Sequence, residues 1–142
     1  MKKILILTGD PNSINSELIF KVWKKINNNL KKKIVLISNY NLLVDQFKKL
    51  KYSVKIEKIN NININFKSKS LKVLNIDLKF KDSFNIPTKN ASKFVISSLK
   101  LAHNLALGND VKGIINCAID KKLINKKNFG VTEFLASMCG LN

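Results

Sequence analysis

Gly113-Ile-Ile-Asn-Cys-Ala-Ile-Asp-Lys121, a spacer, and then Phe129-Gly-Val-Thr-Glu-Phe-Leu-Ala136 decide how this chain is read. The apolar run from Val111 to Cys117 predicts a buried strand. A polar break and a short helical segment follow it, and Gly130 starts a second helix. A strand that delivers two turns at its carboxyl end is the place where α/β proteins build ligand sites.

The segment before this strand carries the strongest helical pattern, over Asn90 to Leu107. Ala91, Val95, Ser98, Ala102 and Leu105 share one face beside Phe94, Leu99 and Leu101, while Lys93, Ser97, Lys100 and Asn104 form the other. Thr88, after Pro87, is placed to cap it, and Gly108 stops it. His103 borders the polar face and, as the only His, builds no metal site by itself.

At the other end of the chain, Lys3 to Leu7 is a short apolar run ending at Gly9-Asp10-Pro11. Ser16 to Ile26 then places Leu18, Ile19, Val22, Trp23 and Ile26 at helical spacing. Gly9 permits a tight or positive-φ backbone, Pro11 fixes φ, and Asn12 or Ser13 is placed to cap the helix, whose N-terminus could hold an anion. The bland alternative is an ordinary capped turn in which Asp10 bonds its own backbone. After a polar, Lys-rich connection over Asn27 to Lys33, Ile34-Val-Leu-Ile37 and the stripe Leu43, Phe47 and Leu50 repeat the strand-then-helix order.

Between Tyr52 and Phe84 the apolar residues alternate instead, at Val54, Ile56, Ile62, Ile64, Phe66, Leu71, Val73 or Leu74, Ile76, Leu78 and Phe80. Period two predicts half-exposed strands, including one over Asn60–Asn65. The fold class is therefore α/β, a three-layer α/β/α arrangement with a mostly parallel sheet and a β-rich excursion around 52–84. No linker or repeat divides the 142 residues, so a single α/β unit over 1–142 is expected. At this length about 68–70% of the unfolded chain's surface can be buried, enough for a core.

A formal net charge of +17 ordinarily points to nucleic acid or an anionic membrane. Here all 26 basic residues are Lys, and the planar guanidinium fork favoured for reading bases and gripping phosphates is absent. Lys, Asn and Ile together make 64 of the 142 residues, the residues with the most A- and T-rich codons. That is the drift of an AT-rich genome, and no nucleic-acid partner is expected. The apolar run after Met1-Lys2-Lys3 stops at Thr8, short of the ~7–15 residues of a signal-peptide core. No run approaches the ~20 residues of a membrane span, so a cytoplasmic protein with no membrane partner is expected. Cys117 and Cys139 form no metal-type pair and read as reduced thiols.

Two motifs together resemble a known family. Thr8-Gly-Asp-Pro-Asn-Ser-Ile-Asn-Ser-Glu17 resembles the Gly-Asp-Pro-Ala-Gly-Ile-Gly-Pro-Glu opening of the 4-hydroxythreonine-4-phosphate dehydrogenase family, the pyridoxal phosphate biosynthesis proteins PdxA. Asn116-Cys-Ala-Ile-Asp-Lys121 with Phe129-Gly-Val-Thr-Glu-Phe134 resembles its Thr-Ala-Pro-Ile-Asn-Lys and Phe-Gly-His-Thr-Glu-Phe segments, in the same order and spacing. The resemblance implies an isocitrate-dehydrogenase-like fold and a homodimer. It also implies NAD and a divalent metal (Zn, Mg or Co). The implied reaction is oxidation and decarboxylation of 4-hydroxythreonine 4-phosphate in vitamin B6 (pyridoxine 5'-phosphate) synthesis.

Carried over residue by residue, the resemblance makes Thr132 a substrate contact and places Val131 where the family has a substrate-contacting His. It adds Lys121, Asp10 and Glu133 to the substrate wall, and assigns no catalytic or cofactor-binding residue. The family's three metal-binding His residues and its later Lys, Asn and Arg contacts fall beyond the position matching Asn142, so an N-terminal part of a longer enzyme is expected, with no metal ligand of its own. Asn12 and Ser13 replace Ala-Gly, Asn15 and Ser16 replace Gly-Pro, and Ala118 replaces the Pro before Ile119. These changes mean either a repacked site or a decayed one. The competing readings are a paralogue acting on a related phosphorylated hydroxy acid, a non-catalytic basic module for polyanions, and a decayed fragment.

Overall fold

A computed structural model describes residues 1–67, 69–124 and 130–141. Five strands form one parallel sheet in the order β3-β4-β2-β1-β5, with β1 at Lys3–Leu7, β2 at Ile34–Ser38, β3 at Ile56–Ile59, β4 at Leu71–Asn75 and β5 at Val111–Asn116. Helices α1 (Asn15–Lys25), α2 (Asn28–Lys31), α3 (Tyr40–Lys49), α4 (Thr88–Ala106) and α5 (Val131–Met138) connect and cover it, with a 3-10 turn at Lys121–Leu123.

The layers follow from the period-two geometry of the strands. Leu5, Leu7, Val35 and Ile37 pack with Phe94, Val95, Leu99 and Ala102 of α4, and Val131, Phe134 and Leu135 of α5 close over the same cluster. Ile34, Leu36, Leu71 and Val73 point the other way, to Ile19 and Trp23 of α1 and Leu43 and Phe47 of α3. Each such side chain, taken fully from water, contributes about 1.5–3 kcal/mol, so both faces of β1 and β2 must stay covered. The three-layer α/β/α reading is the observed fold.

Several local expectations change. The excursion contributes β3 and β4 to the main sheet, but the Asn60–Asn65 segment forms no strand; Ile62 and Phe66 are buried from an irregular path instead. Pro87, not Thr88, occupies the N-cap position of α4, and the Lys-rich connection contains the short α2, capped by the Asn27 side chain. β5 is not a buried strand: among the described residues it pairs only with β1 and stands at the sheet edge, and most of its own residues are exposed. Apolar composition could not reveal this, because a strand awaiting a neighbour and a strand that has one carry the same residues. No described helix is long and apolar enough to cross a membrane.

At the amino ends of the strands Lys3 and Lys72 are both buried and face the Phe66 ring, at 3.9 and 5.4 Å from its centroid. Lys72 reaches Glu57 at 2.8 Å. Burial pushes the Lys3 ammonium below its ordinary range.

Candidate substrate-binding site

The chain leaves β1 toward β2 on one side and returns to β1's other side only with β5. The carboxyl ends of β1 and β5 therefore form the switch point at which open parallel sheets place ligands. Both signature segments meet there. Gly9 sits at φ +72, and a methyl on it would lie 2.5 Å from the Ala118 carbonyl oxygen and 3.0 Å from that of Cys117. The Asp10 amide donates to the Ala118 carbonyl at 3.0 Å. Glycine is required because the two strand exits touch through bare backbone.

Residues that depart from the family's first motif hold this junction. Asn15 is 2% exposed, and its Nδ2 donates to the Thr8 carbonyl at 3.0 Å and the Ala118 carbonyl at 2.7 Å, bridging both strand ends. Asn12 grips the Ile86 backbone twice: its Nδ2 donates to the carbonyl at 2.9 Å and its Oδ1 accepts from the amide at 2.7 Å. Gln46 on α3 donates to the carbonyls of Pro11 and Ser83, so the 76–87 connection is strapped to the β1–α1 turn. The sequence places Asn12 or Ser13 as the cap of α1, but Ile14 holds the cap position and makes no side-chain cap bond. The Ser13 hydroxyl, one residue earlier, donates to the Asp10 carbonyl and accepts from the Asn15 amide at 3.1 Å. The turn is held by these side-chain hydrogen bonds.

Asp10 accepts the Asn12 amide through Oδ1 at 2.9 Å, the self-bonded turn that the bland reading anticipates. Beyond Ala118, the Asp120 carboxylate accepts the Lys122 amide and starts the 3-10 turn that presents Lys121 to solvent. The Ser92 hydroxyl of α4 fixes the end of that turn through the Leu123 carbonyl at 2.6 Å. Lys121 and Glu133 converge on Gly130: a methyl there would stand 2.8 Å from Glu133 Oε2 and 3.8 Å from Lys121 Cε. Glu133 lies in the first turn of α5, where its charge also suits the helix dipole. Thr132 is exposed beside it, whereas Val131 packs against the core shared with α4. Phe129 of the second signature lies outside the described residues.

Thus Lys121, Gly130 and Glu133 share one patch, and Asp10 is tied to the same strand exit through Ala118. Val131 turns inward, and no described contact joins Thr132 to Asp10. The cavity bordering Asp10, Ser16 and Ser38 is only about 10 Å³, room for one water. The wall formed by Lys121, Thr132 and Glu133 is open. Cys117, packed on the α1 face of the sheet, is no ready nucleophile, since burial raises its thiol above the ordinary range. Among the described residues no three His, Cys, Asp or Glu side chains converge as a metal centre. Sequence reading missed the clamping roles of Asn12, Asn15 and Gln46, because only the fold brings their amides to distant carbonyls.

The family model for the pyridoxal phosphate biosynthetic protein PdxA matches residues 29–142. The chain belongs to the PdxA family. The match begins after the altered Asn12 to Ser16 turn. A curated 4-hydroxythreonine-4-phosphate dehydrogenase from Erythrobacter litoralis is 26% identical over 146 residues, covering 99% of this chain and 43% of the relative. A solved 4-hydroxythreonine-4-phosphate dehydrogenase from Burkholderia phymatum superposes with a TM-score of 0.79 at 18% identity, over 100% of this chain and 44% of that one. Another, from Klebsiella pneumoniae, gives a TM-score of 0.68 at 19% identity, over 87% and 39%. At these identities the structures speak for the fold. This PdxA-family chain spans less than half the length of the relatives it matches.

Proposed function

We propose that this chain forms one wall of the substrate site of an NAD-dependent 4-hydroxythreonine-4-phosphate dehydrogenase, a cytoplasmic homodimeric enzyme of vitamin B6 synthesis, and is the N-terminal part of it. The observation that carries this reading is the meeting of Gly9-Asp10-Pro11 with Ala118–Lys121 at the sheet's switch point, beside Gly130–Glu133. The Lys121 ammonium supplies a mobile positive charge for a phosphate, and the Thr132 hydroxyl can donate to and accept from the substrate's polar groups. Asp10, held by its own turn, and Glu133 shape the wall's negative side.

A divalent metal does not fit the residues present, because the described acidic and sulfur side chains do not cluster. No residue of the β1–α1 turn is assigned to NAD, and the Asn15 amide there is engaged with the Thr8 and Ala118 carbonyls. In this reading both groups are held by the polypeptide that faces the wall. Val131, which packs inward where the family offers a His, favours a second reading: a paralogue for another phosphorylated hydroxy acid, such as a threonate phosphate.

The test is NAD-dependent oxidation of 4-hydroxythreonine 4-phosphate and of threonate phosphates, by the chain alone and together with the remaining family polypeptide from the same genome. Turnover is expected only from the combination. Robust turnover by the chain alone overturns the half-site reading, and an inactive combination overturns the dehydrogenase assignment.

A further inference from the structure

Two polar atoms at the start of α1 are buried without a mate. Asn15 is 2% exposed and Ser16 6%, and neither Asn15 Oδ1 nor Ser16 Oγ has a hydrogen-bond partner among the described residues. Turning the Asn15 amide over is no remedy. Its Nδ2 faces the carbonyl oxygens of Thr8 and Ala118 at 3.0 and 2.7 Å, and a flipped side chain would set Oδ1 against two other acceptors. Oδ1 is therefore fixed as a buried acceptor that calls for a donor, a state that costs stability and that native proteins rarely keep. Both residues line the cavity of about 10 Å³ enclosed by the β1–α1 turn and by Leu42, Leu43 and Gln46 of α3. Ser38, the last residue of β2, lines it too. Its Oγ accepts the Thr8 hydroxyl at 2.9 Å, which leaves its own proton for another acceptor.

We propose that this cavity is a binding site for one internal water, which donates to Asn15 Oδ1 and accepts from the Ser16 and Ser38 hydroxyls. Size and charge select that occupant. The space is that of about one water, too small for a phosphate, a carboxylate or a nicotinamide ring. No described residue lining it is basic, and the fixed Asn15 Oδ1 turns an anion away. Three polar partners match what an internal water ordinarily finds. The water gives the junction a further arm. Asn15 ties the β1 exit to Ala118 through Nδ2, and through the water it also reaches α1 and the end of β2. Where the family has Gly-Pro neither side-chain oxygen exists, so the site belongs to the Asn15-Ser16 pair of this chain. The inference does not depend on the dehydrogenase reading, since it concerns how the strand exit is held and not what binds above it.

The experiment is a high-resolution crystal structure of the 142-residue chain, paired with oxygen-17 relaxation dispersion in solution, which counts the waters held far longer than those of the bulk. The structure is expected to show one water about 2.5–3.0 Å from both Asn15 Oδ1 and Ser16 Oγ. Ser16→Val removes one of its partners and puts methyl groups into the cavity, so the number of long-lived waters should fall by one. Ser53→Val, at an exposed position, should leave that number unchanged. No water at the site, a metal ion in its place, a number that Ser16→Val does not lower, or one that Ser53→Val lowers as well would each overturn the proposal. Should Ser16→Val fail to fold, the crystal structure of the unaltered chain decides by itself.

Discussion

Gly9→Ala tests the claim that the two signature segments meet through backbone. The substitution places an L residue at φ +72, a cost of about 1–2 kcal/mol, partly offset by about 0.4–1 kcal/mol from a stiffer unfolded chain. The added methyl would also lie 2.5 Å from the Ala118 carbonyl oxygen and 2.8 Å from Asn15 Nδ2. Ala118 must retreat, and its carbonyl then loses the bonds from the Asp10 amide and the Asn15 amide. At about 0.5–1.5 kcal/mol net for each bond, that adds about 1–3 kcal/mol.

Gly140 supplies the control. It has nearly the same φ, +71, in open space, so Gly140→Ala carries only the conformational part. Urea unfolding followed by the single, buried Trp23 should show Gly9→Ala less stable than Gly140→Ala by about 1–3 kcal/mol. Gly9→Ala itself should melt on the order of 10 °C below the wild type. If the two variants differ by less than about 0.5 kcal/mol, the strand exits are not in contact, and the argument for a shared site fails.

Asn12→Ala removes both bonds to Ile86 and should cost about 1–2 kcal/mol, with faster hydrogen exchange at the Ile86 amide and little change in β2. An unchanged Ile86 amide would show that the 76–87 connection does not depend on this clamp. Burial lowers the Lys3 ammonium from its ordinary value of 10.5, so the unfolded chain holds this proton more tightly than the folded one. The desolvation cost is complete below the folded-state value and vanishes above 10.5. Stability relative to Lys3→Met should therefore rise as pH increases from 7 toward 10.5, and a difference that is flat or falls with pH refutes the assignment.

Much of this architecture is written locally. The 3.6-residue spacing of Leu43 and Phe47, or of Ala91, Val95 and Ala102, selects helices whose apolar faces need a sheet. The runs at Lys3–Leu7 and Ile34–Ile37 supply it. Glycine at 9 and 130, each following an apolar run or opening a helix, likewise marks the turns. The alternation over 60–65 misleads because Asn and Ile dominate the whole composition, so period two arises there without a strand to enforce it. The altered residues of the first signature also looked like losses. Asn12 and Asn15 acquire their meaning from the carbonyls of Ile86 and Ala118, which lie 74 and 103 residues away in the chain.

The sequence by itself determines the α/β class, the positions of the turns and the membership suggested by two spaced motifs, because these depend on residue type and short-range periodicity. Only the tertiary structure decides that β5 is an uncovered edge, that Val131 turns into the core, and that Asn15 locks two strand exits together. Those facts depend on which distant segments lie alongside. An apolar strand carries the same letters whether its second neighbour is present or still to come.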